Sequence, residues 1–460
     1  MDIGARLEIT CTDLDDNGAG LGEVDGRRVH VTGALPGERV AAIVEHVSRQ
    51  SPAAWARLAS IEAPSSERRP PACPAFGACG GCVLQHLAYD AQLAWKRRRV
   101  ADAFADSALA GVTIDACVPS PEPLGYRNKS KLVAARLGEG RGLVLGAYVS
   151  RSHEVVDLGG CRIAEPPLDE TAGALRTILD EAAVRPYDER TLTGDLRHVV
   201  LRSNHAGEVL AVWIVARPIL DGAALARRFR AARPEALGVV EHQNRTRGNV
   251  LFSEAGDSDR VLDGAGTLED RIEVDGRLLR LQLSPGAFFQ ANRAVAALAY
   301  AAIARGLAVG PSDRIVDVYC GVGGIALSLA QSAAEVIGIE SHGGAVSDAT
   351  ASAALNGIAN CRFVAGDAAA LLGGIDHADL VVLNPPRKGC APSVLTEVVR
   401  LAPRAVAYLS CDPDTLARDL ALLAGRGYQA RAVTPFDMLP HTPHVEALAI
   451  VERVSDPRAR

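Results

Sequence analysis

The chain is poor in aromatic residues, and it lacks a long apolar run. Phenylalanine, tyrosine and tryptophan make up only 4% of its 460 residues, so a surface that stacks on flat rings must depend on few side chains. No apolar stretch reaches the roughly 20 residues needed to cross a bilayer without a charge or a glycine. Met1–Glu8 contain neither a basic stretch nor an apolar core, which excludes a signal peptide. We therefore expect a cytoplasmic protein without a membrane partner.

The chain also lacks an excess of positive charge. Its formal net charge is −6 at pH 7, which excludes a protein that coats nucleic acid along its whole length. Two local basic stripes stand out, namely Lys96–Arg99 and the set Arg127, Lys129 and Lys131. Each is a candidate for nucleic-acid contact, although charge alone favours a solvated face. With 48% hydrophobic residues, the chain can form two or three globular domains, and we expect a monomer.

Residues 1–62 are predicted to form a small β-barrel. Alternating runs such as Arg28–Val31 are separated by residue pairs typical of turns, namely Asn17-Gly18, Asp25-Gly26 and Pro36-Gly37. Short strands at this spacing are typical of an oligonucleotide-binding (OB) type of barrel. The pieces Gly18–Gly22 and Leu35–Glu38 resemble the TRAM domain, which implies an RNA-binding module. A barrel that binds nothing is the alternative.

A cysteine-rich loop follows a linker of proline and charged residues, 64–71. Cys73, Cys79 and Cys82 have the spacing C-x5-C-x2-C, and the glycines between them let the backbone fold around a metal. Cys161, which also follows glycines, offers a fourth thiolate. Four thiolates fit a [4Fe–4S] cluster or structural zinc, and the three-plus-one spacing favours the cluster.

Residues 63–280 are predicted to form a central α+β domain that contains this loop. Gln92–Phe104 has the pattern of a basic amphipathic helix, which can pack on the domain that follows. Beyond residue 120, strand-like runs are broken by one helical segment near Leu168–Ala183. These strands are expected to form the floor of a substrate groove.

Residues 281–460 are predicted to form an α/β domain with a doubly wound parallel sheet, because strands and helices alternate there. Its first unit contains Asp317 and the glycines Gly321 and Gly323, which let the backbone approach a ligand. Glu340 ends the next strand, where an acidic side chain can bind a ribose diol. The loop lacks the G-x-G-x-x-G pattern of dinucleotide sites, and it resembles the S-adenosylmethionine loop of class I methyltransferases.

Two polar positions follow later strands of this domain. The class I likeness implies that Asp367 binds the adenine amine of the cofactor, with a surface turn as the alternative. Asn384 ends another strand, where a polar side chain reads a flat base or guides the methyl acceptor. Enzymes that methylate exocyclic amines carry Asn-Pro-Pro followed by an aromatic residue, and this chain has Arg387 in that place.

Cys411 lies at the tip of a predicted strand, Ala405–Leu409, and is a candidate nucleophile. Thiolate is the strongest side-chain nucleophile near neutral pH, and the carboxyl ends of parallel strands face the ligand crevice. The following residues are expected to end the strand, with Asp414 or Thr415 as the cap of the next helix. An isolated cysteine in this position is more often a core residue, and the surrounding motifs favour the nucleophile.

Together with Ser284–Asn292 and Pro440–Leu448, the Cys411 segment resembles the RNA uracil-5 methyltransferase family, and the likeness covers nearly the whole chain. It is strongest to the branch with a TRAM domain and an iron–sulfur cluster, which methylates 23S ribosomal RNA rather than transfer RNA. The resemblance implies that the Cys411 thiolate adds to C6 of uracil and that Glu446 later removes the C5 proton.

The same resemblance implies a binding site for S-adenosylmethionine. With the residues of the glycine loop and its neighbouring strands, the predicted cofactor site comprises Gln290, Asp317, Tyr319, Gly321, Gly323, Glu340, Asp367 and Asn384. Arg387 and His444 are candidates for charge support, and they fit equally well as polar residues at the pocket edge.

The chain departs from the family pattern at two positions. The family usually has aspartate in the place of Asn384 and asparagine in the place of Gly324, where one cofactor contact is therefore lost. An asparagine amide can accept from uracil N3–H and donate to O4, and its flipped form suits cytosine equally. The alternatives are an RNA cytosine-5 methyltransferase and a non-catalytic RNA-binding or assembly factor on a methyltransferase scaffold.

Overall fold

The computed structural model describes residues 1–105, 109, 111–138, 142–149, 152–246, 250–252 and 258–454. In chain order, the strands are β1 (Arg6–Thr10), β2 (Asp13–Leu14), β3 (Gly20–Val24), β4 (Arg27–Thr32), β5 (Arg39–Val47), β6 (Ala53–Ala63), β7 (Thr113–Ile114), β8 (Lys129–Arg136), β9 (Leu143–Tyr148), β10 (Val155–Asp157), β11 (Leu196–Ser203), β12 (Val209–Val215), β13 (Ala236–Gln243), β14 (Ser258–Gly264), β15 (Leu268–Val274), β16 (Arg277–Leu283), β17 (Arg314–Val318), β18 (Glu335–Glu340), β19 (Cys361–Ala365), β20 (Leu380–Leu383), β21 (Ala405–Ser410), β22 (Tyr428–Phe436) and β23 (Glu446–Arg453). The helices are α1 (Tyr89–Phe104), α2 (Pro166–Glu181), α3 (Gly222–Ala232), α4 (Arg293–Leu307), α5 (Gly324–Ala330), α6 (Gly343–Leu355), α7 (Ala368–Gly373), α8 (Pro392–Leu401) and α9 (Pro413–Ala424). Among the described helices, none has both the length and the apolar character of a membrane span.

The first six strands form one sheet in the order β1-β5-β6-β4-β3-β2. Along β4, Val29 and Val31 are buried while their neighbours face outward, as the period-two pattern of the sequence predicts. On the outer face, the rings of His30 and Trp55 stack with their centroids 5.1 Å apart. The sheet extends to Ala63, one residue beyond the predicted end of this domain.

The central sheet has seven strands in the order β10-β9-β8-β11-β12-β13-β14. α2 and α3 cover one face, and the hairpin β15–β16 and α4 pack on the other. The expectation of a single helix in this region is therefore wrong. The second helix, α3, buries Gly222, Ala226 and Phe229, and only one of these is a large apolar side chain, so its sequence signal is weak. The predicted boundary at residue 280 falls inside β16, so the domain division there stays a prediction.

The third large sheet has the order β19-β18-β17-β20-β21-β23-β22-β7. The strands from β19 to β21 are parallel, and β23 runs antiparallel to both of its neighbours, β21 and β22. This is the expected doubly wound α/β arrangement. The strand order reverses at β17, and folds of this kind bind their ligands at the carboxyl ends of the strands beside such a reversal. The segments after β17, β18, β20 and β21 therefore surround the expected crevice.

α1 lies between the N-terminal sheet and the third sheet. Its Trp95 packs with Leu14 and Leu84, while Val100 and Phe104 belong to the core of the third sheet. The four basic side chains of α1 all have partners within the protein, while Arg97 and Arg98 are also exposed to solvent. From Lys96 to Arg99, these partners are the carboxylate of Asp437, the carbonyl oxygens of Ile114 and Asp115, the carboxylate of Asp13, and the carboxylates of Asp16 and Asp414.

The turn after β21 differs from the prediction in its cap. Asp412, rather than Asp414 or Thr415, caps α9, because its Oδ1 accepts the Thr415 N–H at 2.9 Å. Pro413 occupies the first helical position, where its fixed φ suits the helix and its missing N–H costs nothing. The residue before the proline is thus placed to cap the helix, directly after Cys411.

Candidate active site

Cys411 and Glu446 lie at the ends of two neighbouring strands. β21 and β23 are antiparallel, and Ser410 is opposite Ala447 in their register. Cys411 directly follows β21 and Glu446 is the first residue of β23, so the two lie beside each other at this end of the sheet, and the Glu446 charge acts on the Cys411 thiol. The structure therefore brings together two side chains that the sequence offers in separate motifs.

Burial and two nearby charges determine the protonation of Cys411. Burial raises the pKa of its thiol to about 11, the Glu446 carboxylate adds to this rise, and the Arg387 guanidinium opposes it. Near neutral pH the free protein therefore carries a thiol at this position. Arg387 Nη2 lies 3.3 Å from Nε2 of His444, whose pKa is lowered by burial and by Arg387. The imidazole is thus neutral beside the cation.

Glu446 is largely enclosed by protein, with part of its surface exposed. Burial raises the pKa of its carboxyl group to about 7, and Arg387 opposes this rise. Near neutral pH the group is divided between its acid and carboxylate forms. A general base works best when its pKa is near the operating pH, so this carboxyl group is suited to proton transfer.

The glycine turn after β17 has the backbone that a close ligand needs. Gly321 and Gly323 have φ of +55° and +82°, in the left-handed region that favours glycine. A Cβ on Gly323 would lie 2.7 Å from the Phe363 ring, whereas one on Gly321 would meet only a backbone oxygen 4.0 Å away. Gly321 therefore faces open space. Tyr319 also has a positive φ, +65°, and strain of this kind is concentrated at functional sites.

Asp317 lies below this turn and does not line the crevice. Its side chain has no exposed surface, and Oδ2 accepts the Ala326 N–H at 3.0 Å. Burial raises the pKa of this carboxyl group to about 8. Asp317 therefore holds the start of α5 against β17 and supports the glycine turn.

Glu340 and Asp367 flank the turn on its other side. Glu340 Oε2 accepts the Gly321 N–H at 3.1 Å, which joins the end of β18 to the turn. Asp367 caps α7 by accepting the Ala370 N–H, and its charge contributes to the raised pKa of the Tyr319 phenol. Both carboxylates therefore lie beside the turn, and their roles in binding the cofactor stay predictions.

Gln290 belongs to a loop that faces the turn from the opposite side. The loop approaches Gly321 through the carbonyl oxygen of Phe288. Asn128 Nδ2 fixes its backbone by donating to the Gln290 carbonyl oxygen at 3.0 Å. The Gln290 side chain itself is 7% exposed, at the wall of the crevice.

The two positions that depart from the family pattern have different surroundings. Asn384 is partly exposed, and its side-chain amide makes no hydrogen bond within the described residues, so it is available to a ligand. A Cβ on Gly324 would lie 3.0 Å from the ring of Tyr300 and 3.1 Å from its hydroxyl oxygen. Tyr300 thus occupies the space beside Gly324, and its pKa is raised by burial and by Asp317 and Glu446. The sequence does not mark Tyr300 as a site residue, because a single aromatic residue on an apolar helix is typical of a hydrophobic core.

The four cysteines predicted to bind a metal lie close together. Burial raises the pKa of the Cys82 thiol to about 12, and the charges of Cys161, Cys79 and Cys73 add to this rise. The Gly81 N–H donates to Cys79 Sγ at 3.4 Å. The described residues nevertheless contain no group of three or more His, Cys, Asp or Glu side chains arranged to hold a metal ion. The cluster therefore stays a prediction.

The second basic stripe forms a cluster beside the crevice, which we call the β8 cluster: Arg127, Lys129, Lys131 and Arg202. Lys129 is directly opposite Arg202 in the pairing of β8 with β11. Burial lowers the pKa of Lys129 to about 6, and the charges of Arg202, Lys131 and Arg127 lower it further. Lys129 and Arg202 both donate to the carbonyl oxygen of Ala287, in the loop that carries Gln290. The β8 cluster therefore adjoins the wall of the crevice.

Comparisons with known proteins agree with this geometry. The tRNA (uracil-5-)-methyltransferase family model matches residues 255–454, and the TRAM domain model matches residues 2–54. An RNA methyltransferase of Geobacter sulfurreducens is 40% identical, and the alignment covers 97% of this chain and 90% of that protein. One of Halalkalibacterium halodurans is 36% identical over 97% of this chain and 96% of its own length.

A solved structure shares the whole architecture. The Pyrococcus abyssi tRNA (uracil-54, C5)-methyltransferase in complex with S-adenosyl-L-homocysteine superposes with a TM-score of 0.76 at 24% identity, covering 97% of this chain and 100% of that one. The predicted family and the predicted TRAM domain are confirmed. The chain belongs to the RNA (uracil-5-)-methyltransferase family and carries a TRAM domain in its N-terminal region.

Proposed function

We propose that this chain methylates C5 of a uridine in RNA, with S-adenosylmethionine as methyl donor, through a transient bond between Cys411 and C6 of the base. The observation that supports the proposal is the register of β21 and β23, which brings Cys411, just after β21, beside Glu446, at the start of β23. Reaction at two adjacent ring carbons needs a nucleophile and a base that reach the same ring.

The groups around the glycine turn fit S-adenosylmethionine. Gly321 faces open space, and the Glu340 carboxylate lies where folds of this kind bind a ribose diol. When bound, the cofactor supplies an electrophilic methyl group on a sulfonium. The residues proposed to hold it are Gln290, Tyr319, Gly321, Gly323, Glu340, Asp367 and Asn384, with Asp317 supporting the turn.

In the proposed reaction, the Cys411 thiol first releases its proton to solvent water, and the thiolate sulfur bonds to C6 of the base. The C5–C6 double-bond electrons move toward O4, and the resulting enolate makes C5 a nucleophile that accepts the methyl group. Glu446 then takes the C5 proton, the C5–C6 double bond re-forms, and the carbon–sulfur bond breaks. Arg387 assists the first step because its charge lowers the pKa of the Cys411 thiol.

Asn384 is the proposed reader of the base. Its unpaired amide can accept from N3–H of uracil and donate to O4. Because the flipped amide suits cytosine, RNA cytosine-5 methylation is the second candidate. Uridine is favoured because the family model that matches the catalytic region is that of uracil-5 methyltransferases.

The proposed substrate is 23S ribosomal RNA ahead of transfer RNA. A stacked base cannot enter the pocket, so it must be flipped or presented from a loop. The β8 cluster and the TRAM domain would hold the surrounding RNA through phosphate contacts. The four cysteines Cys73, Cys79, Cys82 and Cys161 are proposed to hold a [4Fe–4S] cluster that shapes this region, since methyl transfer is redox-neutral. An ultraviolet–visible spectrum of anaerobically purified protein distinguishes the cluster from zinc.

Nucleoside analysis tests the proposed function. Ribosomal and transfer RNA from a strain that lacks the gene is digested and measured for 5-methyluridine and 5-methylcytidine. We expect a loss of 5-methyluridine at one ribosomal site, restored by the wild-type gene and not by Cys411→Ala. A loss of 5-methylcytidine alone would support the cytosine candidate, and unchanged levels of both would contradict both enzymes.

A further inference from the structure

The segment that leads into Glu446 is held by residues from a distant part of the chain. Residues 437–445, which connect β22 to β23, are called the strap. Asp437, the first residue of the strap, forms an ion pair with Lys96 of α1, and neither side chain has exposed surface. Lys96 also donates to the carbonyl oxygen of Leu439 at 3.1 Å. The beginning of the strap is therefore fixed to α1 and not to the catalytic sheet alone.

Gln92, one turn earlier on α1, holds the middle of the strap. It is fully buried, and its Oε1 accepts the His441 N–H at 3.0 Å. Its Nε2 donates to the carbonyl oxygens of Leu84 and Leu87 and lies 3.2 Å from His441 Nδ1. One amide thus joins the strap to the segment that follows the cysteine-rich loop.

Two further bonds fix Pro440 and His441 of the strap. The Leu84 N–H donates to the His441 carbonyl oxygen at 3.0 Å, and the Tyr126 hydroxyl donates to the Pro440 carbonyl oxygen at 3.1 Å. His441 itself has φ of +66°, a strained conformation for a non-glycine residue that persists only where the surroundings impose it. The partners of residues 439–441 therefore impose a strained path on the chain five residues before Glu446.

We infer that Gln92 and Lys96 are positioning residues for Glu446: they fix the strap so that the carboxyl group at its end faces the ring bonded to Cys411. This inference depends on the proposed function. Cys411 directly follows β21, in a turn separate from the strap, so a loosened strap leaves its attack and the methyl transfer in place. Removal of the C5 proton is the step that slows, and a misplacement of about 1 Å can cost on the order of 100-fold. The methylated adduct then accumulates.

The test is a denaturing gel that detects covalent protein–RNA complexes. With ordinary uridine RNA and S-adenosylmethionine, we expect Gln92→Met to accumulate the complex at least about tenfold above the wild type, as Glu446→Gln should. His441→Gly, which suits the positive φ and removes only the side chain, should do so to a smaller extent. The matched control is Arg98→Gln, because Arg98 lies on the same helix and pairs with Asp13 away from the strap.

Wild-type protein with 5-fluorouridine RNA separates the two proposals, since fluorine cannot leave as the C5 proton does. If the wild type is trapped on this RNA while folded Gln92→Met and His441→Gly release ordinary RNA as fast as the wild type, the positioning role is wrong. If Gln92→Met does not fold, His441→Gly alone decides. If the wild type is not trapped on 5-fluorouridine RNA, the proposed covalent reaction fails.

Discussion

The two basic stripes of the chain resemble each other in the sequence and have opposite surroundings in the structure. The stripe on α1 faces carboxylates at three of its four positions, and its lysine is buried against Asp437. The β8 cluster has no ion pair from Arg127, Lys129 or Lys131 within the described residues, and Lys129 lies opposite Arg202. Without a counter-charge, the neighbouring cations disfavour the protonated form of Lys129. The first stripe therefore joins domains, and the second has the unneutralised charge that a polyanion would balance.

A basic run in the sequence is therefore available to nucleic acid only where the folded protein provides no counter-charges for it. The family assignment makes RNA the polyanion, and the β8 cluster adjoins the loop that carries Gln290. Substitutions in the α1 stripe should therefore affect stability, and substitutions in the β8 cluster should affect RNA binding.

Lys96→Met should have the largest effect, and the effect should be on stability. It leaves the Asp437 carboxylate buried without its cation, which typically costs about 3–5 kcal/mol. Chemical denaturation should show the loss in the free energy of unfolding. A loss below about 1 kcal/mol would mean that the α1 stripe does not join the domains as described.

Lys131→Gln should weaken RNA binding without changing the melting temperature. Lys131 is exposed and has no acidic partner within the described residues, so its loss removes a phosphate contact and little else. The slope of log affinity against log salt concentration should fall by about one unit. Filter binding over a salt series measures this slope. An equal loss of affinity in Arg98→Gln would erase the distinction between the stripes.

RNA binding should be accompanied by proton uptake at Lys129. Its pKa of about 6 leaves it neutral in the free protein at pH 7.5, and a nearby phosphate favours its charged form. Because the complex binds more protons than the free protein, affinity should decrease as the pH rises above about 6. Calorimetry in buffers of different ionisation enthalpy counts these protons. Lys129→Met should abolish most of the proton uptake. Uptake that persists in this variant would show that another group binds the proton.

Arg98→Gln should have the smallest effect. Arg98 and Asp13 are both largely exposed at 3.2 Å, and exposed pairs typically contribute about 0.2–1 kcal/mol. We expect a change in the free energy of unfolding below about 1 kcal/mol and unaltered RNA affinity. A loss as large as that of Lys96→Met would show that exposure does not separate the roles within α1.

The sequence predicts the catalytic sheet well because its strands are apolar runs that end in polar residues. Gly321, Glu340, Asn384 and Cys411 all follow strands of that sheet, as their spacing indicates. The sequence predicts Asp414 or Thr415 as the cap of α9, and Asp412 caps it instead. The prediction is wrong because several neighbouring side chains could accept the same N–H. Such local competition is decided by backbone geometry that the pattern does not contain.

The long-range parts of the site could not be predicted from residue patterns. Gln92 and Lys96 contact the strap, and Tyr300 contacts the glycine turn, across separations in sequence that no periodicity records. The pairing of Cys411 with Glu446 follows from the antiparallel β23 between β21 and β22. Sequence analysis reaches that pairing only through the resemblance to a family.

The most direct test of the central claim is mass spectrometry of the protein after incubation with 5-fluorouridine RNA and S-adenosylmethionine. We expect a peptide containing Cys411 that carries a methylated fluoropyrimidine nucleotide, and we expect no such adduct in Cys411→Ala. Intact protein without an adduct, in a preparation that methylates ordinary RNA, would contradict the covalent role of Cys411.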